Sequence, residues 1–202
     1  DLGGGSLELA RVENNVVTNK TSLPIGVLRL INNPIVKKRN LPKYVKKLLR
    51  EEKWLSKKKF NNLYLVGGTW RSLFKLHLFQ NNHPVHIIHQ YSVNRSTLTK
   101  FVEKISNFNK SKLKTVEYIS KSRTQYLPYS SIILNEIMTI TNPKKILCSI
   151  SGLREGSLSI DHLKNTKETE IFNKSIEYIA SKRGDLGSTY QKYFKFILPV
   201  FD

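Results

Sequence analysis

The apolar positions change period along the chain, and each change predicts an element. Leu7, Leu9 and Val12 alternate with Glu8 and Arg11, as in a half-buried strand, and Asn14-Asn15 marks a turn. Val16-Val17-Thr18 begins a second strand. The apolar run Val27 to Ile31, closed by Asn32-Asn33-Pro34, adds a third and completes a β-meander. Leu41, Tyr44, Val45, Leu48 and Leu49 then recur at i, i+3, i+4, i+7 and i+8, an amphipathic helix with Pro42 in its first turn. Leu63-Tyr64-Leu65-Val66 reads as a short strand buried on both faces. Gly67-Gly68 closes it, and Thr69 caps a helix carrying Leu73, Phe74 and Leu76.

Val85 to Ile88 reads as a short strand or extended loop. Ser96 caps a helix with Leu98, Phe101, Val102 and Ile105 on one face, residues 113–122 are helical, and Leu127-Pro128 breaks the pattern. Ser130 to Ile140 is apolar almost all round, which predicts a buried helix. Ile146 to Ile150 is a buried strand ending near Gly152, and residues 154–163 return as a helix. Beyond about residue 165 only helical stripes remain: Phe172, Ile176, Ile179 and Ala180, then Tyr190, Tyr193, Phe194 and Ile197. The order predicts an α/β layered sheet of mixed direction over 1–165, followed by a helical region over 166–202.

Charge changes the picture. Lys and Arg number 34 against 15 Asp and Glu, a net charge of +19. Lys37-Lys38-Arg39, Lys46-Lys47 and Lys57-Lys58-Lys59 set much of it around the first long helix. A phosphate polymer would be drawn there as readily as nucleic acid, and no recognisable motif for sequence-specific DNA binding is present. The Lys and Asn richness is equally what drift in base composition produces. No apolar run reaches the ~18 residues of a membrane span. The single cysteine, Cys148, excludes an intramolecular disulfide and a multi-cysteine zinc site, and a reducing, cytoplasmic setting is expected. The opening residue is Asp1, the only methionine is Met138, and the first residues read as the middle of a motif. The expectation is a piece of a longer protein, truncated at its N-terminus.

That opening, Asp1-Leu2-Gly3-Gly4-Gly5-Ser6-Leu7-Glu8-Leu9, carries the most chemistry. Three consecutive glycines let backbone N–H groups converge on an anion, and Ser6 adds a hydroxyl. Asp1 and Glu8 are carboxylates suited to holding a divalent metal or orienting a water. The alternative is a ligand-free glycine hairpin. His83, His86 and His89 lie in a Pro-containing segment without acidic or cysteine partners, and are read as surface and packing residues. Cys148, inside a buried strand, is read as an inert thiol.

The opening resembles the second phosphate loop of the acetate kinase, actin and heat-shock chaperone ATPase superfamily. More narrowly it resembles the exopolyphosphatase/guanosine pentaphosphate phosphatase family. Val66-Gly67-Gly68-Thr69-Trp70-Arg71 and Ser151-Gly152-Leu153-Arg154-Glu155-Gly156 follow in that family's order and spacing, and Leu23-Pro24-Ile25-Gly26 with Leu28-Arg29-Leu30 is similar to one subgroup. The resemblance covers about residues 1 to 165. It implies the second ribonuclease-H-like, actin-like half of a two-half enzyme, with the start of a helical C-terminal region that offers a dimer surface. It implies hydrolysis of a terminal phosphoanhydride of polyphosphate, or of the 5′ γ-phosphate of guanosine pentaphosphate, by water with Mg²⁺ or another divalent cation. Asp1 and Glu8 become the metal-side or water-orienting carboxylates. Gly3, Gly4, Gly5 and Ser6 become the phosphate cradle, with Gly67, Gly68, Thr69 and Arg154 at the cleft rim. The family's first phosphate loop and general base belong to the other, N-terminal half, so this chain alone is expected to turn over little substrate. Two other classes stay open: an ATP-binding relative of the sugar kinases, and a non-enzymatic basic module for nucleic acid.

Overall fold

The computed structural model describes residues 1–152, apart from 35, 58 and 59, together with 154–157. The chain divides into two compact units, Asp1–Gly152 and Leu153–Asp202. Of the second, only the helical turn at 154–157 lies among the described residues, so the expected boundary at 165 and the helical stripes beyond it lie outside them.

In the first unit, β1 (Leu7–Glu13) and β2 (Val16–Leu23) form an antiparallel hairpin. Asn14 and Asn15, at φ 50° and 62°, turn it, since asparagine tolerates left-handed backbone better than other non-glycine residues. The next apolar run is not the expected third strand. Val27–Ile31 is a short helix, α1, that buries Val27 and Leu30. Its first N–H groups bond to carbonyls of the Gly3–Gly4 turn, so a contact distant in sequence decides its backbone. The helix α2 (Leu41–Glu51) follows, burying Leu41, Val45 and Leu49 at every fourth position.

A second sheet holds β3 (Asn62–Leu65), β4 (Ser92–Asn94) and β5 (Lys145–Cys148). β5 is central, parallel to β3 and antiparallel to β4, so the mixed direction matches expectation. β3 is not buried on both faces: Tyr64 is 53% exposed, and Leu65 alone is fully buried. Residues 85–88 form a loop.

Between these strands run α3 (Gly68–Gln80), α4 (Arg95–Ser106), α5 (Lys110–Lys114), α6 (Lys121–Thr124) and α7 (Leu127–Thr141). Two expected caps are corrected. α3 begins at Gly68 with Gly67 at its N-cap, so Thr69 lies inside the first turn. α4 begins at Arg95, one residue before Ser96, with Asn94 at the N-cap. The helix expected over 113–122 is split into α5 and α6, and Tyr118 at φ 67° sits in the break. α7 is the hub. It packs on α1, α2, α3 and α4, buries Ile132, Ile133, Leu134, Ile137 and Met138, and ends on left-handed Asn142.

Candidate functional site

Asp1-Leu2 runs antiparallel to Leu7-Glu8, and Gly3 to Ser6 form the turn between them. Glu8 N–H donates to Asp1 O (2.9 Å), the Asp1 nitrogen to Glu8 O (2.8 Å), and Gly3 N–H to Ser6 O (3.0 Å). Leu2 and Leu7, bridged and buried, fix the base of the turn in the core.

The turn is then anchored from one side. Gly3 O accepts from Val27 N (3.1 Å), Gly4 O from Leu28 N and Arg29 N (3.0 Å each), and Gly5 O from the Arg29 Nε (3.0 Å). Every peptide here is trans, which sets each N–H opposite the carbonyl before it. Three carbonyls drawn toward α1 therefore turn the N–H groups of Gly4, Gly5 and Ser6 the other way. Among the described residues none of these three donates a hydrogen bond. This anchoring requires Gly26: a Cβ there would stand 2.3 Å from Ser6 N and 2.4 Å from Gly4 C and O.

The carboxylates flank the cradle. Asp1 and Glu8 are a hydrogen-bonded cross-strand pair, so their side chains leave the same face of the hairpin. One Glu8 oxygen accepts from the Ser6 hydroxyl and from Ser22 Oγ (3.1 Å), which ties Glu8 to the loop it borders. Asp1 lies against Gly67, where a Cβ would stand 2.3 Å from Asp1 Oδ1. Gly67 also has φ 102° and ψ 162°, backbone open essentially to glycine alone.

Across from the cradle, the guanidinium of Arg123 bonds to Gly68 O (3.2 Å) and lies 2.8 Å from where a Gly68 Cβ would be. A pocket of about 180 Å³ separates the two sides, lined by Gly4, Leu28, Gly68, Thr69, Arg123 and Tyr126. The loop after β5 joins the same edge through Ser149 N to Leu65 O (2.9 Å) and Arg71 Nη1 to Ile150 O (3.0 Å). This edge therefore presents three N–H groups that donate to nothing among the described residues, the Arg123 guanidinium, and the Asp1 and Glu8 carboxylates, groups of the kind that can bind an anion.

Of the predicted site residues, the fold gathers Asp1, Gly3, Gly4, Gly5, Ser6, Glu8, Gly67, Gly68 and Thr69 at one edge. Arg154 belongs to the second unit and is not assigned a place in this site. Three contributors were not among the predicted site residues: Gly26, Arg29 and Arg123. Gly26 and Arg29 lie within the Leu23–Leu30 stretch already noted, whereas nothing in the Lys-rich sequence around Arg123 singles it out. The histidines do other work: His83 bonds the Val85 backbone, His86 rests on Phe79, and His89 accepts from Ile150 N. No cluster of three His, Cys, Asp or Glu occurs among the described residues. Burial pushes the Cys148 thiol up to about 11 despite nearby Arg71. No helix among the described residues is long and apolar enough to cross a membrane.

A search of curated proteins gave no match. Among solved structures, the Ppx/GppA family member from Aquifex aeolicus is 23% identical with a TM-score of 0.63, covering 82% of this chain and 56% of that one. An exopolyphosphatase from Cytophaga hutchinsonii is 18% identical with a TM-score of 0.70, again covering 82% and 56%. The chain thus spans about half the length of these solved relatives and shares their actin-like α/β fold. The model of the Ppx/GppA phosphatase family matches residues 1–165, which hold the glycine cradle, both carboxylates and the Gly67-Gly68 turn; the chain belongs to that family.

Proposed function

We propose that this chain forms the phosphate-holding wall of an exopolyphosphatase-type hydrolase, which removes the terminal phosphate of inorganic polyphosphate by attack of water on phosphorus. The observation that carries this reading is the trio of undonated N–H groups at Gly4, Gly5 and Ser6, held open by the α1 anchor. Donors aimed in advance at a phosphoryl group stabilise the charge that develops as it is transferred. Arg123, across the pocket, would hold the next phosphate along the chain. The relative described as an exopolyphosphatase supports the substrate class.

A divalent ion fits the carboxylate pair, because Mg²⁺ commonly takes one or two carboxylates beside substrate phosphates. Bound there, it would supply Lewis-acid neutralisation of the phosphate oxygens. Asp1, with its carboxylate held beside Gly67, and the Glu8 carboxylate would hold it. Glu8 also accepts from the hydroxyls of Ser6 and Ser22, which ties its carboxylate to the loop. Glu8 is not assigned as the general base. The solved relatives are nearly twice as long, and we place that role in a further half of that kind, so this chain alone should release little phosphate.

The test is Mg²⁺-dependent phosphate release from polyphosphate by the intact parent enzyme. Asp1→Asn or Glu8→Gln should lower turnover by about 10²-fold or more while the melting temperature holds. Arg123→Met should raise KM for polyphosphate more than it lowers kcat. Normal turnover in both carboxylate variants would refute the assigned roles. A faster initial rate on guanosine pentaphosphate than on polyphosphate would change the substrate and keep the site.

A further inference from the structure

The pairing of β4 with β5 ends at a bulge. Cys148 N–H donates to Tyr91 O (3.2 Å) while Cys148 O accepts from Gln90 N (2.8 Å), so two residues of one strand face one of the other. Gln90 has φ 60° there, left-handed backbone that glycine usually supplies in such a bulge. The chain then turns away from β5, with Tyr91 N donating to Ile88 O (3.2 Å). Along a strand, N–H groups reach the same edge at every second residue, so Ile150 N–H is the next donor after Cys148 on the β4 side. It meets no backbone carbonyl and donates to His89 Nδ1 instead (3.3 Å). An imidazole thus stands in for a strand across one further bond.

The same residue is held at its other end. Ile150 O accepts from Arg71 Nη1 (3.0 Å), and Arg71 stands in the first turn of α3 with its own N–H on Gly67 O (3.1 Å). Gly67 is the residue against which the Asp1 carboxylate lies. On the β3 side, Ser149 N–H bonds Leu65 O (2.9 Å). The Ser149 hydroxyl bonds Ser151 N (3.1 Å) and O (3.0 Å), which ties the loop only to itself. His83 and His86 rest on aromatic rings, whereas His89 is exposed and has no ring contact among the described residues. Packing therefore does not account for His89, and the left-handed glutamine beside it is strain of the kind that clusters at functional sites.

We propose that His89 is a positioning residue for the phosphate site. Its ring nitrogen holds Ile150 N–H while Arg71 holds Ile150 O, and together they fix the loop 149–152 to the edge that carries Gly67 and the cradle. This role rests on the hydrolase reading above. Nδ1 accepts only while it carries no proton, so the neutral ring keeps its hydrogen on Nε2.

The test follows amide exchange at Ile150, phosphate release from polyphosphate and the melting temperature in the intact parent enzyme. His89→Leu keeps bulk and removes the acceptor. Ile150 should then exchange about fivefold faster or more, and kcat should fall by about tenfold. The melting temperature should hold, because the exposed ring buries nothing. His89→Asn returns an acceptor oxygen at the position of Nδ1 and should restore both the exchange rate and kcat. Unchanged exchange at Ile150 in His89→Leu overturns the proposal. So does faster exchange with unchanged kcat, or no recovery in His89→Asn. A melting temperature several degrees lower in His89→Leu also overturns it, marking a packing residue. An unaltered enzyme that releases no phosphate removes the hydrolase reading and this role with it, whereas failure of the His89 role alone leaves that enzyme active.

Discussion

Gly26→Ala isolates the anchoring of the cradle from its chemistry. Gly26 has ordinary extended backbone, φ −66° and ψ 152°, so alanine meets no conformational penalty there. It meets backbone instead. The new Cβ would lie 2.3 Å from Ser6 N and 2.4 Å from Gly4 C and O, where ordinary contact begins at 3.4 Å. Loop and helix must separate by about 1 Å, since backbone cannot swing aside as a side chain does. That stretches the bonds from Val27, Leu28 and Arg29 to Gly3 O and Gly4 O, now 3.0–3.1 Å. Overpacking of this kind costs ~1–3 kcal/mol, and each weakened bond adds a fraction of ~1 kcal/mol. A total of ~3 kcal/mol lowers the melting temperature of a chain this size by about 6–12 °C. Turnover of the intact enzyme should fall further than stability suggests, by about 10²-fold, because a donor displaced by ~1 Å no longer meets the phosphoryl oxygen. Gly5→Ala is the control: a Cβ there meets nothing within 4 Å, and its melting temperature should hold. A Gly26→Ala enzyme that melts within a degree of the unaltered one and keeps its activity would refute the anchoring argument.

Gly67→Ala should cost ~1–3 kcal/mol from backbone strain alone and push the Asp1 carboxylate aside; calorimetry and phosphate release should both report it, and an unchanged melting curve would count against the φ 102° turn. His77 is buried against Tyr91 and Phe101, and burial, then His83, hold its pKa below the usual 6.5. The unfolded chain therefore binds the proton more readily. Stability from this group is complete above pH ~6.5 and falls as pH drops below it, and a His77→Gln chain should lose that part of the slope of melting temperature against pH. Cys148, with its thiol pushed up to about 11, should resist a disulfide reagent at pH 8 until the chain unfolds.

Elements with several turns or a full alternation were legible because their burial repeats. α2 shows Leu41, Val45 and Leu49, and α7 shows Ile132, Ile133, Leu134, Ile137 and Met138 crowded into two turns. The Asn14-Asn15 turn was legible because few residues tolerate its backbone. α1 was not, since five residues of Val, Leu and Ile suit strand and helix equally, and the deciding carbonyls belong to Gly3 and Gly4. β4, at three residues, is too short to show a period. The cradle and its carboxylates were legible as a contiguous motif. Arg123 was not, because a lysine-rich segment disguises the one guanidinium that the fold brings to Gly68.

The division between legible and hidden parts follows from how a phosphate site is made rigid. A run of glycines supplies free donors, but by itself it is the most flexible segment a chain can have, and a mobile donor must be reordered at each turnover. The donors become catalytically useful when something else fixes the peptide planes. Here that work falls to carbonyls rather than to the donors themselves: three of them bond to Val27, Leu28 and Arg29, and planarity does the rest. Gly26 is the contact that permits this approach, and Gly67 is the contact that seats Asp1 beside it. The glycines of the proposed cradle thus depend on glycines that lie outside it.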